Sequence, residues 1–281
     1  MDIVSRVLDW ADHNDSVRVM LLVGSLGQNK HTDNFSDFDL SIFGYDFDFI
    51  RDDDWLLKIA APIVCIHDQF QWGQYSLPTR LTLFDDMTKV DFAFHPLSLL
   101  QEMINAQTLS PTYGNGYLVL IDKEGIGQQI PPPDFHAHEL KKPDAKEFQL
   151  AINEFWFEAY HVVKYLSRKD LWAAKSRDCA IKSWLLSMLQ WHAVARAGSA
   201  LQLKNEGREM QSWIDPNVYA ELNHCFGSFN HQQQWSALLS TTKLFSKLTH
   251  ETASGFDFSY NDVPEKKITE FIFQLNPKVY G

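Results

Sequence analysis

Two aspartates, Asp37 and Asp39, stand at alternate positions where the apolar run Phe38–Phe43 opens. A third, Asp91, sits inside LysValAspPheAlaPhe (89–94), and Gly24-Ser25 closes the apolar run Val17–Val23. If these runs are strands, positions i and i+2 share a face. Asp37 and Asp39 then lie side by side, roughly 6–7 Å apart along the strand, and repel each other. A divalent cation between them removes that repulsion, and magnesium in particular takes one or two carboxylates together with phosphate oxygens and water. Glycine lets the main chain approach a phosphate closely, and Ser25 offers a hydroxyl and an amide N–H. Three convergent carboxylates could bind a metal and also take a proton from an attacking hydroxyl. Each part has a plainer use: Asp37 and Asp39 at a solvated strand edge, Ser25 in a turn, Asp91 on a polar strand face. The combination is more specific than any one part.

The elements that must position these groups follow from period and punctuation. Ile3, Val4, Val7, Leu8 and Ala11 predict a first amphipathic helix. Strands are expected at Val17–Val23, Phe38–Phe43, 63–66, 80–84, 89–94 and 117–121, with Asp85-Asp86-Met87-Thr88 as a hairpin-like turn and a helix over 96–104. Alternation turns Val90, Phe92 and Phe94 to one face and Asp91 and Ala93 to the other. Pro131-Pro132-Pro133 and Pro143 mark a boundary, giving expected domains 1–135 and 136–281. Beyond it the period becomes helical. Asp144 with Glu147 resembles a capping box, and Phe148, Ile152, Phe155, Trp156, Ala159, Val163 and Leu166 follow at 3–4 residue spacing. Further helices are expected over 171–197 up to Gly198, after Asp215-Pro216, over 232–250, and from Asp262 with Glu265 as its cap.

The chain has 281 residues, 45% of them hydrophobic, and a formal net charge of −11. This suits two buried cores and argues against disorder. The negative field disfavours nucleic acid as a partner and favours a small cationic substrate. Three widely spaced cysteines with no CxxC fit reduced thiols in the cytoplasm and argue against a cysteine zinc site of the usual spacing. The histidines show no HExxH pattern, so no zinc site is expected from them either. No apolar run reaches the roughly 18 residues of a membrane span.

GlySer, eleven residues, AspPheAspLeu, then ValAspPhe downstream resembles the signature of the nucleotidyltransferase superfamily. AspPheAspLeuSerIlePhe, AspPheIleArgAspAspAspTrpLeu (48–56) and LeuThrLeuPheAspAspMetThrLysValAspPheAlaPheHisPro (81–96) resemble the aminoglycoside 6-adenylyltransferases. So do LysLysProAspAlaLysGluPhe (141–148), AsnGluPheTrpPhe (153–157) and TyrHisValValLysTyrLeuSerArgLys (160–169). The resemblance implies an α/β (α+β) nucleotidyltransferase fold with a mixed sheet, followed by an all-helical C-terminal domain. It implies ATP as co-substrate, Mg²⁺ on Asp37 and Asp39, and Gly24 and Ser25 on the ATP phosphates. Asp91 would be a further metal ligand or the general base. It also implies AMP transfer to an aminoglycoside hydroxyl, streptomycin being the type. The family usually carries Arg directly after Gly-Ser; Leu26 stands here, and Lys30 or Arg80 are the cations the sequence offers instead.

In the helical half, Glu154 and Glu158 lie one turn apart beside Trp156 and could receive a guanidinium or ammonium group, or simply face solvent. Glu154 is preferred because it falls in AsnGluPheTrp, and Asp178 is a similar candidate. Two other readings stay open: a nucleotidyltransferase for another small molecule, and a non-catalytic relative that binds a nucleotide or a protein.

Overall fold

The computed structural model describes residues 2–28, 36–72, 75–135, 139–203 and 205–276. Contacts divide the chain into two compact units, Met1–His138 and Glu139–Gly281.

The first unit opens with helix α1 (Ile3–Asp12), capped by Asp2, whose carboxylate accepts the Ser5 N–H at 2.8 Å. Its 3–4 residue spacing buries Ile3, Val7, Trp10 and Ala11. Strand β1 (Val17–Val23) runs into the helical turn α2 (Gly24–Gly27), and β2 (Phe38–Gly44) follows. Two short 3-10 segments, Phe47–Arg51 and Asp54–Lys58, lead to β3 (Pro62–Trp72), β4 (Tyr75–Phe84) and β5 (Lys89–Pro96). Then come α3 (Leu97–Ala106), α4 (Pro111–Gly114) and β6 (Leu118–Asp122). The six strands form one sheet in the order β3-β4-β5-β2-β1-β6. β2 and β5 are parallel and the other pairs antiparallel, so the sheet is mixed as expected.

Strict alternation gives this sheet two apolar faces. Leu40, Ile42, Val90, Phe92 and Phe94 pack with α1 and with Trp55, and Trp55 meets Trp10 at 4.8 Å and Phe92 at 5.0 Å between ring centroids. Val19, Leu21, Val23 and Phe43 pack on the other side with Leu97, Leu100 and Tyr113. Each such side chain contributes about 1.5–3 kcal/mol by leaving water. The β3–β4 hairpin is longer than expected. Residues 67–71 carry His, Asp and two Gln and lie exposed on an edge strand, so no alternation marks them. Pro78 is tolerated within β4 because it falls just beyond Thr79, the last β4 residue that β5 pairs.

The second unit is helical apart from the small β7 (Glu139–Leu140) and β8 (Leu201–Gln202) pair. Its helices are α5 (Ala145–Ser167), α6 (Leu171–Ala197), α7 (Pro216–Leu222), α8 (His231–Phe256) and α9 (Val263–Leu275). The Asp144 capping box forms: its carboxylate takes the Lys146 and Glu147 amides, and Glu147 returns to the Asp144 amide at 2.9 Å. α6 stops at Gly198, whose φ of 67° suits glycine. The expected cap of α9 does not form, because Asp262 instead pairs with Lys266 at 2.6 Å and Glu265 accepts the Ser246 hydroxyl. The aromatic stripe of α5 is core: Phe148, Phe155 and Trp156 are all buried, and Phe155 stacks on Phe245 at 3.5 Å.

Candidate active site

The parallel pairing of β2 with β5 sets Asp39 directly opposite Asp91, with Phe38 opposite Val90. Because Phe38, Leu40, Val90 and Phe92 turn to the α1 side, the two carboxylates share the opposite face. Asp37 joins them through a shared partner. The Lys89 ammonium donates to Asp37 Oδ2 at 2.9 Å and to Asp91 Oδ2 at 2.8 Å. The structure therefore brings the three aspartates read from the sequence together, two of them on Lys89 and Asp39 opposite Asp91.

Their electrostatics follow from burial and proximity. Burial first, then the Asp91 charge and more weakly that of Asp37, push the Asp39 carboxyl up to about 6, while Lys89 pulls against them. Burial draws the Lys89 ammonium down, but its hydrogen bonds to Asp91 and Asp37 outweigh that and hold it above the usual lysine value. Asp91 Oδ1 is buried and has no hydrogen-bond partner among the described residues. Such an orphaned acceptor is costly unless a donor or a cation reaches it.

Gly24 packs against this cluster. A Cβ at Gly24 would stand 1.9 Å from Asp39 Oδ2, and its φ of +66° also favours glycine. The register brings Val23 opposite Asp39, so the turn after β1 lies over the carboxylates. Ser25, next in that turn, is half-buried. Leu26 packs against the α1-side core and not toward the aspartates.

Lys89 is the group that sequence reasoning missed. The signal was present, since Lys89 and Asp91 are i and i+2 on a strand already assigned. The expected substitute, Arg80, is spoken for: it is buried, donates to the Ile50 and Thr79 carbonyls at 2.5 and 2.9 Å, and faces Asp53 at 3.6 Å. Lys30 lies outside the described residues. Asp85 and Asp86 make the β4–β5 turn, where Asp86 accepts the Thr88 amide at 2.9 Å.

The donor set fits a hard divalent ion. It comprises oxygen ligands only, an unpartnered Asp91 Oδ1, an Asp39 carboxylate without a hydrogen-bond partner among the described residues, and a lysine already standing where a cation is wanted. Together with a glycine turn that has no room for a side chain, this suits nucleotidyl transfer. A family model, streptomycin adenylyltransferase, matches residues 1–275. The chain belongs to the streptomycin adenylyltransferase family. It is 26% identical over 281 residues to an aminoglycoside 6-adenylyltransferase of Bacillus subtilis (strain 168), covering 95% of each chain. It is 25% identical to an aminoglycoside 6-adenylyltransferase of Campylobacter jejuni, covering 100% of this chain and 96% of the other. A crystal structure of an aminoglycoside 6-adenyltransferase from Bacillus subtilis aligns over 97% of both chains with 23% identity and a TM-score of 0.47. Membership makes this chain a nucleotidyltransferase, with the mixed sheet and helical C-terminal region of that class.

In the helical unit the three acidic candidates separate. Glu154 is half-buried and has no hydrogen-bond or ion-pair partner among the described residues. Glu158 is bound by Arg177 at 3.1 Å. Asp178, expected as a substrate contact, is 4% exposed and pairs inside the bundle with Lys182 at 2.7 Å, which also donates to Thr241 at 2.9 Å. Trp156 is likewise core and lines no cleft. No described helix is long and apolar enough to cross a membrane.

Proposed function

We propose that this family member transfers AMP from ATP to a hydroxyl of an aminoglycoside of the streptomycin type, releasing pyrophosphate. The observation that carries the reading is the pairing of Asp39 with Asp91 across β2 and β5, with Lys89 joining Asp91 to Asp37.

Asp37, Asp39 and Asp91 would hold magnesium, which when bound neutralises charge on the phosphate oxygens. Gly24 gives the triphosphate access to the main chain, and Ser25 offers its hydroxyl and amide to a phosphate oxygen. The acceptor oxygen attacks the α-phosphorus, and the bond to the bridging oxygen of the β-phosphate breaks. Asp91 takes the hydroxyl proton, and pyrophosphate leaves with the bonding electrons. Positioning and electrostatics supply most of the acceleration, so the carboxylates must be held before substrate arrives. Asp39 and Asp91 lie on adjacent, paired strands, and Lys89 ties Asp37 to Asp91. Glu154, without a hydrogen-bond or ion-pair partner among the described residues, is assigned to a cationic group of the acceptor, and the chain's negative charge favours the encounter.

The test is pyrophosphate release from ATP and magnesium with a panel of aminoglycosides. Release with streptomycin is the expected result. Release with none of them, while ATP still binds, would overturn the acceptor assignment.

A further inference from the structure

Cys65 and His67 are i and i+2 on β3, and Asp53 arrives from the segment between the two 3-10 helices. One ligand atom from each, a thiol sulfur, an imidazole nitrogen and a carboxylate oxygen, lies within 4.8 Å of the other two. His67 Nε2 stands 3.0 Å from both Asp53 oxygens. None of these residues belongs to the aspartate cluster. The proposed reaction uses no residue of the sequence motif 48–56, which includes AspAspAsp (52–54).

We propose that Asp53, Cys65 and His67 form a second metal site, taking zinc or a similar borderline-soft divalent ion with water as the fourth ligand. Sulfur and imidazole exclude magnesium and calcium, which want oxygen, and suit zinc, which takes three protein ligands of these types in open sites. Tetrahedral bonds of ~2.0–2.3 Å set the ligand atoms ~3.4–3.6 Å apart. The observed spacing reaches that by small side-chain shifts, because the His67 and Asp53 side chains are 50% and 36% exposed. The surroundings orient the ligands as supporting groups do in metal centres. Arg80, pinned by two carbonyls, faces Asp53 Oδ1 at 3.6 Å with its Nε, a buried nitrogen that has no hydrogen-bond partner among the described residues. The Thr82 hydroxyl donates to Cys65 Sγ at 3.7 Å.

Binding is a balanced exchange: the thiol proton leaves to water and a metal–sulfur bond forms, with no change of oxidation state. The sequence spacing rules that look for CxxC or HExxH do not see the site. Its ligands come from a strand alternation and a distant loop. Its consequence is a clasp between the loop at Asp53 and β3, the edge strand of the sheet.

The experiment titrates the metal-stripped full-length protein with Zn²⁺, and with Co²⁺ to report thiolate coordination by its near-ultraviolet charge-transfer band. The first equivalent should bind with the band present and the melting temperature raised. Cys65→Ser and the surface change His67→Asn should each weaken binding at least about tenfold, with circular dichroism confirming the fold. Cys179→Ser should bind as the parent does. Absence of stoichiometric binding, or binding that survives Cys65→Ser and fails in Asp37→Asn, overturns the proposal and leaves the reaction reading untouched.

Discussion

Replacing Lys89 with Met keeps the aliphatic stem and deletes the charge that joins Asp37 to Asp91. At 2.8 and 2.9 Å each ion pair corresponds to about 6 kcal/mol at an effective dielectric constant of 20. That figure must be cut back, since the Lys89 and Asp37 side chains are 39% and 47% exposed and water screens them. The Asp91 side, at 22% exposure, keeps more. We expect a net loss of about 2 kcal/mol, with Asp39 and its neighbours left to repel one another. For a unit of this size that is a fall of roughly 4–8 °C in melting temperature in chelator. Millimolar Mg²⁺ should then recover most of the loss in the variant and do less for the parent, because the vacated position favours the ion. Mn²⁺ binding followed by electron paramagnetic resonance should tighten by about tenfold, or 1.4 kcal/mol. Equal melting temperatures in chelator, or an equal Mg²⁺ effect on both proteins, would refute the view that Lys89 stands in for a cation.

Asp37→Asn and Asp39→Asn should each lower the rate of pyrophosphate release at least about 10²-fold while circular dichroism stays unchanged; full activity in either would remove that residue from the site. Over pH 4–6 two groups should oppose each other in the metal-free protein. Asp39 is raised to about 6, so the folded state holds more protons than the unfolded one and stability falls as pH rises from about 4 to about 6. His95, buried and stacked on Phe43, is lowered to about 4, so its stabilising effect is whole above about 6.5 and is lost as pH falls toward 4. Denaturant titrations should show the acid-side loss shrink in His95→Phe and the opposing slope vanish in Asp39→Asn; unchanged pH profiles would contradict both assignments. Asp178→Ala should cost about 3–5 kcal/mol by stranding Lys182, with KM for the acceptor unchanged in the folded fraction; a selective rise in KM would restore it as a substrate contact.

Much of the local architecture was legible because it depends on neighbours in sequence. The 3–4 residue spacing of α1 and α5, the Asp144–Glu147 cap, Gly198 at the end of α6 and the alternation of Val90, Phe92 and Phe94 are all short-range signals, and each forms. The β3–β4 hairpin was legible only at its apolar ends, since an exposed edge strand has little to alternate. The Asp178–Lys182 pair was not legible, because an acidic residue on a helix reads the same whether it faces water or a buried lysine one turn on.

By itself the sequence determined which residue types were present for phosphate chemistry and which local elements carry them, because strand alternation and glycine turns are written within a few residues. Only the tertiary structure decided that β2 lies parallel to β5 with Asp39 opposite Asp91, that Lys89 bridges two carboxylates 54 positions apart, and that Arg80 turns away to Ile50. Strand order and register are set by how whole apolar faces pack. No short stretch of chain contains that information.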